Sequence, residues 1–353
     1  MRAARLHAVG DLRVADEPMP NAGPGMNLVR VTAVGICGSD LHWWDEGAIG
    51  DAKLTHPLVL GHEGAGMIAE GPRSGERVAI DPAIPCETCR ACRDGYRNLC
   101  YRLTFSGHGE TDGMMREFMA WPTTALHPLP DRVSDADGAM LEPLGVAIHS
   151  VDLGHLPFGG TASVIGCGPI GLLLIQVLKA AGASSVLAVE PLTHRREAAA
   201  RLGADQVYDS AAFSEGELTG AIGGIGGIGG IGGIRGIRSI GGGVDVAFEA
   251  AGNDEGVGLA MASVRPGGRV VLAGIPGDDF IRFGASLARR KGLTIAMVRR
   301  MNEVYPRAIS LAERGVVDLG SVVTSRSGLG EIPEAFGDAA RRTGLKAIIE
   351  PQR

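Results

Sequence analysis

Apolar residues fall into two regimes along the chain. Early on they come in short alternating runs, clearest over 28–34 (Leu28-Val29-Arg30-Val31-Thr32-Ala33-Val34), broken by turns such as Asn21-Ala22-Gly23-Pro24-Gly25. Period-two alternation with Gly and Pro punctuation predicts a β-rich, barrel-like region, continued by a turn-and-strand unit at 75–82. From Thr161 onward, apolar runs at 161–165, 185–189, 206–209, 244–249 and 268–274 alternate with helical stretches such as 172–181. This predicts an α/β unit. A last strand is expected over 291–298 and a helix over 305–314. The tail at 345–350 has strand character and can return to the first region.

One segment fits neither regime. Residues 222–242 are seven consecutive three-residue units, four perfect Ile-Gly-Gly copies followed by Ile-Arg-Gly, Ile-Arg-Ser and Ile-Gly-Gly. Each interior glycine costs a helix about 1 kcal/mol relative to alanine. The tract is therefore expected to be a flexible expansion at the end of a crossover helix, dispensable for catalysis.

A length of 353 residues suits two domains, and 45% hydrophobic with 21% charged residues is the composition of a soluble globular protein. A formal net charge of -6 and a pI near 5.9 leave no electrostatic footprint for nucleic acid or an anionic membrane, so neither is an expected partner. No apolar run approaches the roughly 20 residues of a spanning helix, and Met1-Arg2-Ala3-Ala4-Arg5-Leu6-His7 lacks the apolar core of a signal peptide. A cytoplasmic protein is expected. Six cysteines are few for a disulfide scaffold in a chain of this length, and the clustering of four of them points to metal.

Those four, Cys86, Cys89, Cys92 and Cys100, follow the spacing C-x2-C-x2-C-x7-C. Four thiolates in one loop can close a tetrahedral shell, which makes a structural zinc site that orders a lobe over about 82–105. An iron–sulfur cluster takes the same ligand count, but the bacterial ferredoxin run places Pro after its fourth cysteine, whereas Tyr101 follows here. A second ligand set gathers around Gly35-Ile36-Cys37-Gly38-Ser39-Asp40-Leu41-His42 and Gly61-His62-Glu63. It offers a thiolate, an imidazole, carboxylates and a hydroxyl, and thiolate, imidazole and carboxylate are the types a catalytic zinc uses. With four thiols assigned, only Cys37 and Cys167 remain, and Cys167 sits in a glycine loop. The other ligands must come from His62, Glu63, a further carboxylate or water, and Glu142 in Leu141-Glu142-Pro143-Leu144 is the best distant candidate.

The glycine loop is Gly166-Cys167-Gly168-Pro169-Ile170-Gly171, between a predicted strand and a predicted helix, with Glu190 nineteen residues beyond Gly171 at the end of the next strand. This is the dinucleotide-binding arrangement. The first glycine permits the turn, the second lets backbone approach a pyrophosphate, the third lets helix and strand pack, and the acid takes the ribose hydroxyls. Glu190 would repel a 2'-phosphate, which favours NAD over NADP. Arg195 and Arg196 stand where a phosphate could be met.

Taken together, Cys37-Gly38-Ser39-Asp40-Leu41-His42, Gly50-Asp51, Gly61-His62-Glu63, the four-cysteine loop, Leu141-Glu142-Pro143-Leu144 and the glycine loop occur in the order found in the zinc-dependent medium-chain dehydrogenase/reductase family. Within it the chain resembles the sorbitol (polyol) dehydrogenase group. The resemblance implies a GroES-like catalytic domain from 1–148 and 289–353, and a Rossmann domain, a doubly wound parallel sheet, from 149–288. It also implies hydride transfer from a secondary alcohol of a polyol, sugar alcohol or sugar acid to NAD. Zinc would lower the pKa of the bound hydroxyl. The implied catalytic ligands are Cys37, His62 and Glu63, with Glu142 binding directly or through water where alcohol dehydrogenases place a cysteine. The second zinc would be held by the four-cysteine loop. Ser39 would accept the alcohol proton and pass it by way of the cofactor ribose towards His42. Trp43 stands where the animal enzymes carry tyrosine, and Arg300-Met301 where they carry Arg-Tyr, so Trp43 and Arg300 are the implied substrate contacts. Threonine and simple secondary alcohols are the alternative substrates, and a non-enzymatic redox sensor is the alternative class. A homo-oligomer is expected.

Overall fold

The computed structural model describes residues 1–211, 242–277 and 279–353. The chain divides into two compact units, Met1–Gly145 with Met301–Arg353, and Val146–Arg300. The Ile-Gly-Gly tract lies outside the described residues except for Gly242.

In the first unit, a seven-stranded sheet is centred on the alternating run noted above, strand Met26–Gly35. It pairs antiparallel with Glu63–Ile68, with Phe118–Pro122 and, through Gly35 and Val34, with the C-terminal strand Lys346–Glu350. Arg77–Ile80, Leu126–Pro128 and Val323–Gly328 extend the two sides. Arg30 and Thr32 are only partly buried between the core positions Val29, Val31 and Ala33, the pattern of a half-buried strand. At its end, where strands lie on both sides, every residue from Ala33 to Gly35 is buried. A three-stranded sheet of Arg2–Ala8, Asp11–Asp16 and Leu58–Val59 completes a core that includes Leu6, Val29, Trp43, Met119 and Phe336.

The second unit is a six-stranded parallel sheet in the order Gln206–Tyr208, Ser185–Val189, Thr161–Ile165, Val244–Glu249, Val264–Leu272 and Thr294–Met297. This is the strand order of a doubly wound nucleotide-binding sheet. The central strands Thr161–Ile165 and Ser185–Val189 are buried at four consecutive positions each, as strands covered on both faces must be. The sheet edge departs from the sequence expectation of a strand over 291–298. Lys291 ends the helix Ala285–Lys291, Gly292 turns the chain with φ 59°, and the strand is only Thr294–Met297. The reason lies in Lys291 itself. Its buried ammonium donates to the carbonyls of Met261, Ala262 and Val264 at 3.1, 2.6 and 2.6 Å, capping the C-terminal end of helix Asp254–Ser263. Among the described residues no helix is long and apolar enough to cross a membrane.

Candidate active site

Helix Gly38–Glu46 begins at Cys37, and its first turn organises the site. Asp40, fully buried, accepts the N–H of Cys37 at 2.9 Å through Oδ2 and the N–H of Gly61 at 3.2 Å through Oδ1. The same Oδ1 lies 3.5 Å from Nδ1 of His62. One carboxylate thus ties the Cys37 turn to the Gly61-His62 turn and leaves His62 Nε2 pointing away from it. Orienting a ligating imidazole through its other nitrogen is the usual work of such a carboxylate at a metal site. Burial opposes protonation of His62, but the charges of Asp40 and Cys37 outweigh it and hold the ring above its ordinary range. A bound cation would reverse that balance, because a ligating nitrogen must be unprotonated.

The ligand atoms of Cys37, His62 and Glu63 lie within 4.8 Å of one another. Glu63 faces Gly35 across the sheet and is buried together with Lys346, whose ammonium is in contact with Glu63 Oε2. Gly35 is what leaves room for the pair. A Cβ there would fall 2.0 Å from Glu63 Oε2 and 2.9 Å from Lys346 Cε. Glu142 is not in the three-residue set, but it is buried in the first turn of helix Leu141–Gly154 and interacts electrostatically with His62 and Glu63. Burial pushes the Glu142 carboxyl up to about 7; the charge of Glu63 adds to the rise, while His62 and Lys346 oppose it. A thiolate, an imidazole and two buried carboxylates set against a single lysine are a donor set suited to a divalent cation such as zinc.

Ser39 Oγ stands 3.4 Å from His62 Nε2, and His42 Nδ1 is 3.0 Å from Glu46 Oε1. Trp43 is buried in the core, edge-on to His108 at 5.6 Å, and Trp44 packs on Phe336. Arg300 closes the second unit with φ 55° and is half-buried. Sequence reasoning left Asp40 and Lys346 without roles. Asp40 lay inside the quoted motif, so its position three residues after Cys37 was a usable signal, whereas Lys346 carried none.

The four remaining ligand candidates also converge. Sγ of Cys86, Cys89, Cys92 and Cys100 lie within 4.8 Å of one another, with Cys89 to Cys92 at 3.4 Å and Cys89 to Cys100 at 3.9 Å. A tetrahedron with zinc–sulfur bonds of about 2.3 Å has sulfur separations of about 3.8 Å, so the residues fit the ion. The N–H groups of Cys86 and Arg102 donate to Cys100 Sγ, and the Arg102 guanidinium to Cys86 Sγ, as thiolate sulfurs require. All six cysteines are free.

In the second unit the glycine loop forms the turn between strand Thr161–Ile165 and helix Pro169–Ala180, with Pro169 at the first helical position. Gly166 adopts φ 92°, and a Cβ on Gly171 would fall 1.9 Å from the Gly166 carbonyl. At Gly168 the nearest atom to a Cβ is Arg195 Nη1 at 3.6 Å, which leaves the backbone open to a diphosphate. Ile170 follows as a partly buried first-turn residue. Glu190 is buried. Its Oε2 accepts the Cys167 N–H at 2.8 Å and its Oε1 the Leu192 N–H at 3.0 Å, so the acid braces the loop. Arg196 is engaged with the Glu190 and Pro191 carbonyls and with Asp209.

Residues 23–131 match the alcohol dehydrogenase GroES-like domain and residues 169–314 the zinc-binding dehydrogenase domain. The chain is 31% identical to the sorbitol dehydrogenase of Bacillus subtilis (strain 168), over all of this chain and 98% of that one. The chain belongs to the zinc-dependent medium-chain dehydrogenase/reductase family. The sorbitol dehydrogenase of Macaca fascicularis is 32% identical over 98% of this chain and 94% of its own. The crystal structure of 2R,3R-butanediol dehydrogenase from Bacillus subtilis superposes with a TM-score of 0.85, at 30% identity and 99% coverage of both chains. This member of the family is therefore an oxidoreductase with a GroES-like domain and a Rossmann domain, and zinc and NAD(P) are its cofactors.

Proposed function

We propose that this dehydrogenase oxidises a secondary alcohol of a polyol, sugar alcohol or sugar acid and transfers the hydride to NAD. The observation that carries the reading is the set of half-buried Cys37 with buried His62 and Glu63, and Glu142 beside it, a ligand set with one thiolate and no second cysteine. Polyol substrates are what the two sorbitol dehydrogenase relatives are named for.

Zinc bound there supplies a Lewis acid that lowers the pKa of a hydroxyl. The chain's own residues do the rest. Asp40 orients His62, and Lys346 holds one oxygen of Glu63. Ser39, already against the His62 ring, would accept the alcohol proton as it releases its own into a relay, and His42, half-buried and held by Glu46, would be the group that takes the relayed proton and gives it to solvent. The glycine loop of Gly166, Gly168 and Gly171 carries the diphosphate. The lone pairs that Glu190 does not give to backbone would be free to accept ribose hydroxyls, and Arg195, beside Gly168, would meet the cofactor's phosphate side. The four-cysteine loop holds the second zinc. Arg300 is suited to substrate hydroxyls or a carboxylate, whereas Trp43, buried in the core of the first unit against His108, presents no surface to a substrate. The protein works as a cytoplasmic homo-oligomer.

The test is a screen that follows reduced-cofactor absorbance with NAD and with NADP over polyols, sugar acids, threonine and short secondary alcohols. Turnover of polyols or sugar acids with NAD is the expected result. Turnover confined to threonine or monohydric alcohols would reject the substrate class, and no turnover of any alcohol by zinc-replete protein would reject the activity.

A further inference from the structure

The four-cysteine lobe does not stand alone in the first unit. Arg97 Nη1 donates to Glu303 Oε1 at 2.6 Å, and the same guanidinium contacts Glu87 inside the lobe. Beside this pair, Asn302 Nδ2 donates to the Gly95 carbonyl at 2.9 Å. Both lobe residues are rooted in candidate zinc ligands. The Gly95 N–H donates to the Cys92 carbonyl, and the Cys100 N–H to the Arg97 carbonyl, each at 3.1 Å.

The other end of these contacts is the segment Met301 to Tyr305, next in the chain after Arg300. Glu303 has φ 53° and Arg300 φ 55°, left-handed values that neither residue type favours and that persist only where surrounding contacts fix them. Met301 and Val304 are buried against Gly145, where a Cβ would lie 2.3 Å from Met301 Sδ and 2.9 Å from Val304 Cγ2. Gly145 is one helical turn from Glu142. Tyr305 stacks on His127, donates to the Ile80 carbonyl at 3.0 Å, and interacts electrostatically with Asp81, Glu142 and Glu63.

We propose that Arg97 is a positioning residue: through Glu303 it latches the four-cysteine lobe to the Met301–Tyr305 segment, which packs against the turn carrying Glu142, so that lobe order sets substrate binding. The inference rests on the alcohol dehydrogenase reading above. Arg97 and Glu303 are partly exposed, at 37% and 57% of their side chains, and such pairs contribute little to global stability. The signature therefore falls on KM rather than on melting.

The experiment compares Glu303→Gln, Arg97→Gln and Arg97→Lys with Glu87→Gln, which removes the partner of Arg97 inside the lobe but keeps the contact to Glu303. Readouts are kcat and KM for the best alcohol of the screen, KM for NAD, zinc content, and hydrogen exchange of amides 300–305. Glu303→Gln and Arg97→Gln should raise the alcohol KM about five- to tenfold and speed the 300–305 amides, with kcat and KM for NAD within about twofold and zinc content unchanged. Arg97→Lys should recover most of the loss, and Glu87→Gln should behave as wild type. Unchanged KM and exchange, an equal effect of Glu87→Gln, or loss of zinc from the variants would each overturn the latch. If the wild type oxidises no alcohol, the functional reading fails instead, and the exchange measurement alone decides the latch.

Discussion

Asp40 holds two turns of the backbone and one imidazole with a single carboxylate, and its consequence is metal affinity. Asp40→Asn keeps the shape and removes the charge facing His62. Zinc affinity at the Cys37–His62–Glu63 set is expected to fall about 10- to 100-fold, measured by chelator competition, with the four-cysteine site as an unchanged internal reference. A competition curve identical to wild type would show that Asp40 serves the backbone alone. At this scale the sequence was informative where ligands are close neighbours in the chain. The convergence of Cys86 to Cys100 could be read from spacing, and that of Cys37 with His62 and Glu63 from ligand type. The partners of those ligands could not be read. In sequence Asp40 is one more acid in the first turn of a helix, and Lys346 becomes the counter-charge of Glu63 only through the register that sets Gly35 opposite both Glu63 and Ile348.

Elements were legible when their determinants are contiguous. The strand, glycine turn and helix from Thr161 to Ala180 could be read because each glycine's task is local, and the helix starts at Pro169 rather than later because proline fits its first position. The edge of the same sheet was misjudged because Lys291 is a helix cap acting on a different helix. Helix Asp254–Ser263 is followed directly by extended backbone at Val264, with no glycine to turn its end, so its last carbonyls depend on the Lys291 ammonium. Lys291→Met should therefore cost about 1–3 kcal/mol, read as a shift of the denaturant midpoint in far-UV circular dichroism. A midpoint within error of wild type would mean that water reaches those carbonyls in the variant.

At the scale of the whole molecule, the candidate metal ligands are unevenly distributed. Among the described residues both metal-ligand sets lie in the first unit, as do Trp43, Trp44 and Trp121. Stripping zinc should lower the melting transition seen by tryptophan fluorescence while leaving a later far-UV transition of the nucleotide-binding unit in place. A ligand present at a hundredfold excess over its Kd adds about 2.7 kcal/mol, which sets the scale of the loss. Equal shifts of the two signals would argue that the units unfold as one. The sheet of the first unit also has a consequence for the order of synthesis. Strand Met26–Gly35 is synthesised long before its neighbour Lys346–Glu350. Until then Glu63 lacks its lysine, while the second unit, continuous in the chain, already has all its described strands. Domains fold as units as they emerge, so the nucleotide-binding unit is assembled first. The candidate catalytic metal site, although its side chains are translated before that unit, receives Lys346 only after it.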